Sequence, residues 1–304
     1  MRLITRSDFD GLACAVLLKE AGIIDDYLFA HPKDIQDGKV QVSENDVLAN
    51  VPYVPGVGLW FDHHSSEGER LGDVDFKGAS YTAPSCARVI WDYYGGLDKF
   101  SPTLEEMMVA VDKVDSANLT ADEITNPSDW ILLGFLMDPR TGLGRFRDYR
   151  ISNYQLMLNM IELCRTKTAK EIISIPDVQE RVDRYNSQND LFCQMLERST
   201  EMVGNVAVID LRAEDTIYAG NRFLVYTMFP DSNVSIQIMW GFKKQNIVFT
   251  VGHSITNRSC TTDIGKLMLE FGGGGHMAVG TCQVETSKAD EAKKDILKRL
   301  QINS

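Results

Sequence analysis

The sequence predicts an α/β protein, with a parallel sheet covered by helices on both faces and then a smaller domain of mixed strands and helices. Three observations predict it. Apolar strand-like runs alternate with helical patterns through the first part of the chain. A long charged stretch with helical spacing follows. From about residue 204 onward the pattern changes to the period-two alternation of half-buried strands.

The elements justify themselves in order. Leu3-Ile4-Thr5 is a strand that passes through an Asp/Gly turn into a helix over residues 12–18. Residues 46–49 and 58–61 are short apolar runs bounded by Pro or Gly, and residues 85–94 and 104–111 have helical spacing. Between about 153 and 199, Leu156, Ile161, Leu163, Ile172, Val182, Leu191 and Met195 recur among many charges, with a break at Pro176. That stretch either connects two domains or completes the first. Residues 206–209, 235–240 and 246–251 are strands. The expected division is a first domain over 1–185, a helical linker over 186–203 and a second domain over 204–304.

Composition narrows the function. Acidic residues outnumber basic ones by 43 to 31, a net charge of -12. Long nucleic acid is gripped by neutralising many phosphates, so this balance argues against it and leaves room for a local basic pocket. Lys113, Arg145, Arg147 and Arg150 could line a strand-binding groove, but ordinary surface charge is the preferred reading. No apolar run approaches the ~18 residues of a membrane span. The N-terminus lacks the apolar core and cleavage site of a signal peptide. The six cysteines form no C-x-x-C pair, which argues against structural zinc and for a reducing cytoplasm.

The chemistry gathers in short motifs. Asp8-Phe9-Asp10-Gly11 lies where a strand gives way to a helix, and its two carboxylates can turn toward one point. Alone, either aspartate would serve as a helix cap. Asp62-His63-His64 follows another strand and holds two of the five histidines. Ligands in open α/β sheets bind outside the carboxyl ends of strands, so these motifs should converge. Carboxylate oxygen with imidazole nitrogen suits a divalent cation. Asp112 and Asp115 offer further carboxylates. Gly272-Gly273-Gly274-Gly275-His276 sits between a helical and a strand-like segment, where glycine N–H groups can approach an anion, and Arg258 and Ser259 lie just upstream. His31 reads as a loop residue that could reach the same region. The four tryptophans read as core rather than as base-stacking platforms.

Together these motifs resemble the DHH phosphoesterase superfamily. Asp8-Phe9-Asp10-Gly11 is similar to its first motif, Asp62-His63-His64 to its naming motif, and Asp115 or Asp112 to its fourth. Asn257-Arg258-Ser259 and residues 272–276 resemble elements of the DHH-associated C-terminal domain. The resemblance covers nearly the whole chain. It implies a parallel-sheet DHH domain and a smaller mixed-sheet domain, with the active site in the cleft between them. It implies Mn²⁺ or Mg²⁺, one or two ions, that hydrolyse a phosphoester or phosphoanhydride by activating water. Asp10, His63 and Asp115 would hold one ion, and Asp8 the other. Asp62 would support the histidines, and His64 would contact phosphate or assist proton transfer. Arg258, Ser259, Gly273, Gly274, Gly275 and His276 would bind the substrate. That substrate would be a small phosphorylated molecule: a short oligonucleotide, a nucleoside bisphosphate, a cyclic dinucleotide or polyphosphate, as in the family's exopolyphosphatases. A homodimer is compatible with this picture. The competing class is a degenerate, non-catalytic protein that binds a nucleotide or phosphate.

Two departures from the family pattern support that competitor. A histidine expected before Asp8 is replaced, the candidate positions holding Ile4 and Arg6. The second motif, normally an aspartate that bridges both metals, falls on Asn50, and Asp46 lies too early in its strand to substitute. Both losses concern the same metal position. The expectation is that this second site is weakened or absent, with Arg6 supplying positive charge there and meeting the substrate.

Overall fold

The structure, a computed structural model, describes residues 1–64, 72 and 74–302. The chain opens with β1 (Arg2–Thr5), α1 (Phe9–Glu20), β2 (Asp26–Phe29), α2 (Pro32–Gln36), β3 (Asp46–Ala49), β4 (Leu59–Asp62) and β5 (Gly78–Ser80). Helices follow: α3 (Cys86–Tyr93), α4 (Thr103–Asp115), α5 (Ala121–Thr125), α6 (Asp129–Met137), α7 (Asn153–Thr166), α8 (Ala169–Ile173) and α9 (Pro176–Ser199). The remainder is β6 (Thr200–Val203), β7 (Val206–Asp210), α10 (Leu224–Met228), β8 (Val234–Trp240), β9 (Ile247–His253), α11 (Ile264–Glu270), β10 (Gly274–His276), β11 (Val279–Val284) and α12 (Ala289–Ile302). The chain forms two compact units, Met1–Asn118 with Pro127–Tyr185, and Leu119–Asn126 with Asn186–Ser304.

The first unit holds a five-stranded sheet in the order β2-β1-β3-β4-β5, every pair parallel. Side chains alternate across it. Ile4, Leu48 and Trp60, adjacent in register, pack with Ile35 of α2, Val51, Tyr53 and Phe76 on one face. The other face carries Leu3, Val47 and Phe61, all fully buried, and Phe61 meets the ring of Tyr93 on α3 at 5.1 Å. α1 is buried from Phe9 through Leu18, and it contacts β1, α3, α4 and α7. That burial on all sides explains why this helix reads as a continuous apolar run rather than a stripe.

The second unit holds a six-stranded mixed sheet in the order β10-β11-β9-β8-β7-β6, with β7 and β8 parallel and the other pairs antiparallel. Val206, Val208, Ile236, Ile238, Phe249 and Val251 form its buried core with Ile264 and Met268 of α11 and Ile296 and Leu300 of α12. α5 joins this unit because it packs on α10, and Asn221 Nδ2 donates to the Ile124 carbonyl at 3.2 Å.

Candidate active site

The first sheet places the motifs before any side chain is considered. β1 runs to β2 at the sheet edge, and the chain then returns to lay β3 on the other side of β1. Crevices in open α/β sheets form where the winding reverses in this way, beyond the carboxyl ends of the strands. Arg6, Asp8 and Asp10 follow β1, Asn50 follows β3, and Asp62, His63 and His64 end and follow β4.

Three ligand-type atoms meet there. Asp10, His63 and Asp115 offer atoms that lie within 4.8 Å of one another. His63 Nε2 is 3.3 Å from Asp115 Oδ2 and 3.8 Å from Asp10 Oδ2. The ring is oriented from behind. His63 Nδ1 lies 3.1 Å from the Ala83 carbonyl, which can only accept, so Nδ1–H donates to it and Nε2 is the ring nitrogen turned toward the two acids. Nε2 is buried and has no hydrogen-bond partner among the described residues. Asp10 is held as firmly, because its Oδ2 accepts from Cys86 N at 3.0 Å and its Oδ1 from Ala87 N at 2.8 Å, the first N–H groups of α3.

The electrostatics fit a cation. Burial, then the charge of Asp8, pushes the Asp10 carboxyl up to about 7, although the Ala87 and Cys86 N–H groups pull the other way. Burial and the charge of Asp10 likewise push Asp115 up to about 7, with His63 opposing. Two acids that resist ionising beside an imidazole nitrogen are a donor set short of positive charge. An O, N, O set of this kind fits a divalent ion such as Mn²⁺ or Mg²⁺. Burial opposes protonation of His64, but its hydrogen bond to Asp62 and the nearby carboxylates raise its pKa overall. Asp62 Oδ1 is 2.9 Å from His64 Nδ1.

Asp8 stands apart from that trio. Its Oδ1 caps α1 by accepting from Gly11 N at 2.9 Å, and it also accepts from Asn50 Nδ2 at 3.3 Å. Its Oδ2 is 3.1 Å from Arg6 Nε. Asn50 adopts φ 56°, a left-handed conformation that asparagine tolerates better than most residues, and its Oδ1 is buried without a partner among the described residues. The sequence left Asp112 and Asp115 open. α4 turns Asp115 toward His63, whereas Asp112 accepts from Ser85 Oγ at 2.7 Å and from Arg88 Nε and Nη2 at 2.9 and 2.6 Å.

The remaining sequence-predicted residues lie in the second unit. Ser259 Oγ accepts from Asn233 Nδ2 at 3.0 Å and donates to Asn257 Oδ1, and Arg258 Nε donates to the Ile255 carbonyl at 3.3 Å. The glycine run is not a free loop. Gly272 (φ 75°) ends α11 in the left-handed conformation, its N–H bonding Leu269 O while that of Gly273 bonds Met268 O. Gly274, Gly275 and His276 form β10, antiparallel to β11. A Cβ on Gly273 would stand 2.1 Å from Thr281 O, and one on Gly275 2.2 Å from Val279 O. Close backbone packing therefore accounts for glycine at these positions.

Sequence reasoning missed the Ala83 carbonyl, the α3 N–H groups and Arg140. Arg140 Nε donates to the buried Asp138 at 2.7 Å, and Asp138, Arg140, Asp8, Asp10 and Asp115 line one small crevice. The first two are backbone groups with no side-chain signature, and an arginine after Asp-Pro has none that sets it apart.

No protein-family model and no curated protein matches the chain. Among solved structures it is similar to a pGpG-specific phosphodiesterase, PggH of Vibrio cholerae, with 49% identity and a TM-score of 0.88 over 100% of this chain and 99% of that one. A DHH domain from a member of the s1p family of ribosomal proteins matches with 13% identity and a TM-score of 0.58, over 99% of this chain and 86% of that one. RecJ of Thermus thermophilus, solved with Mn²⁺, matches with 12% identity and a TM-score of 0.51, over 98% of this chain and 52% of that one. The last two likenesses carry the fold alone.

Proposed function

The chain belongs to the DHH phosphoesterase superfamily, and from that premise we propose that it hydrolyses the phosphodiester of a linear guanine dinucleotide, pGpG, with a divalent ion held by Asp10, His63 and Asp115. The observation that carries the reading is the bare, buried Nε2 of His63 between two acids that resist ionisation, in a chain similar along its whole length to a pGpG phosphodiesterase. When bound, such an ion would lower the pKa of water and polarise phosphoryl oxygens.

The protein's own groups do the rest. The Ala83 carbonyl keeps His63 Nε2 aimed at the ion's position. Asp62 holds His64 through Nδ1 and favours its protonated form, which suits His64 to contact the phosphate or assist proton transfer. Arg6 neutralises Asp8, so the phosphate is not met by an uncompensated carboxylate.

Incubation of the purified protein with pGpG and Mn²⁺ tests the assignment, GMP being the expected product. His63→Ala should lower the rate by about 100-fold or more, since even outer-shell partners of metal ligands cost about 10–100-fold. Full activity in that variant would move the reaction to another site.

A further inference from the structure

The carboxyl ends of β1 and β2 open onto a cavity of about 530 Å³ inside the first unit, lined from the loop after β1, the start of α2, the segment 136–144 and the first turn of α7. Its volume falls in the range of small-molecule sites, about 300–1,000 Å³. Phe29, Leu136, Leu143, Leu156 and Met157 make most of its walls apolar. Asp8 and Arg140 line both this cavity and the crevice that holds Asp10 and Asp115. The cavity therefore adjoins the metal-type donors.

Its polar groups divide into two sets. Arg6 and Arg140 form the first, and they are tethered alike, each by Nε to an aspartate: Asp8 at 3.1 Å and Asp138 at 2.7 Å. Among the described residues the terminal nitrogens of both guanidiniums lack hydrogen-bond partners. Two tethered guanidiniums with spare N–H groups suit a phosphate.

Asn153 and His31 form the second set. Asn153 Oδ1 accepts from Arg181 Nε at 3.2 Å and Nη2 at 3.0 Å. Arg181 is 2% exposed and also bonds Asp177 O, Ile151 O and Glu180, so the orientation of the Asn153 amide is fixed and its Nδ2 remains a donor. His31 Nδ1 accepts from Lys33 N at 3.1 Å, which puts the ring proton on Nε2.

We propose that this cavity binds the nucleoside of a nucleotide substrate, with Arg6 and Arg140 clamping its phosphate and Asn153 Nδ2 donating to the acceptor edge of the base. The proposal deepens the reading above and rests on it only for which phosphate is cleaved. A polyphosphate would leave the apolar walls in water, whereas a nucleobase covers them and uses the fixed donors. Arg140 thereby becomes a substrate-positioning residue of the reaction.

Calorimetric titration of the full-length, metal-free protein with GMP and with ribose 5-phosphate tests it without turnover. GMP should bind about tenfold or more tightly than ribose 5-phosphate, a difference of about 1.4 kcal/mol. Asn153→Asp keeps the acceptor for Arg181 but removes the donor, and it should abolish most of that preference. Arg140→Gln should weaken both ligands, and Arg140→Lys should recover part of the loss. Thermal unfolding of each variant checks the fold. Equal affinity for the two ligands, or a preference that survives Asn153→Asp, would overturn the base site, and unchanged binding in Arg140→Gln would overturn the clamp. If pGpG is not cleaved yet these affinities hold, the reaction assigned above falls and the cavity assignment stands. If pGpG is cleaved but GMP has no preference, the cavity assignment alone falls.

Discussion

His63 and Asp115, with Asp10, form a group of ligand-type atoms that could hold a metal ion. The imidazole is fixed by one carbonyl, and the two acids facing it are pushed up to about 7, Asp10 by burial and the charge of Asp8, Asp115 by burial and the charge of Asp10. Between the ordinary aspartate value of 3.8 and about 7, the folded protein therefore holds more protons than the unfolded chain. Stability of the metal-free protein should fall as pH rises through that window. An ion that binds there displaces those protons, so Mn²⁺ affinity should be about tenfold or more weaker near pH 6 than near pH 8, as calorimetry in the two buffers would read. Asp8 carries a second expectation. With its carboxylate engaged by Arg6 and Asn50, one tight Mn²⁺ per chain should appear in equilibrium dialysis, and two tight ions would refute the substitution of guanidinium for metal. Much of this was legible in the sequence, because Asp8, Asp10 and Asp62-His63-His64 gather carboxylates and two of the five histidines at strand ends. Arg6 and Asn50 were legible as departures. Arg140 was not, since its meaning comes from a cavity assembled by residues far apart in the chain.

Helix and strand ends decide how the motifs are used. Asp112 and Asp115 are three positions apart on α4, near neighbours on a helix surface, and spacing alone cannot choose between them. What sets them apart is α3, whose Arg88 and N-cap residue Ser85 bind Asp112. The glycine run is the opposite case. Four consecutive glycines read as an anion-binding loop, and besides any such use Gly272 terminates α11 and Gly273 and Gly275 press against the β11 backbone. Gly273→Ala should destabilise the second unit by about 1–3 kcal/mol, the usual cost of overpacking, with a lower urea midpoint as the readout. An unchanged midpoint would show that the strand pair relaxes freely. Glycine's lack of a side chain hides this from the sequence, because a tight backbone contact and a flexible turn call for the same residue.

At the scale of the whole molecule, strand alternation and the change of period near residue 204 made both sheets legible, since parallel and mixed sheets leave different hydrophobic rhythms. The net charge of -12 bears on the ligand. A dinucleotide bound through two phosphates should lose no more than about tenfold in affinity between 50 and 200 mM salt, against about 10³-fold or more for a strand contacting six or more phosphates. A steep salt dependence for single-stranded DNA, measured by anisotropy, would restore the nuclease reading. No described helix is long and apolar enough to cross a membrane.

Asp10 has a consequence for how relatives of this chain should be sorted. Both of its oxygens accept from the first N–H groups of α3, so a lineage that abandoned catalysis would still be penalised for losing it. His63 and Asp115 have no such second employment among the described hydrogen bonds beyond the Ala83 contact. An inactive descendant should therefore drift first at those two positions while its first aspartate pair looks intact. In a comparison of homologues, His63 with Asp115, rather than the more visible Asp8-Phe9-Asp10-Gly11, should separate working enzymes from retired ones if the proposed ion site is right.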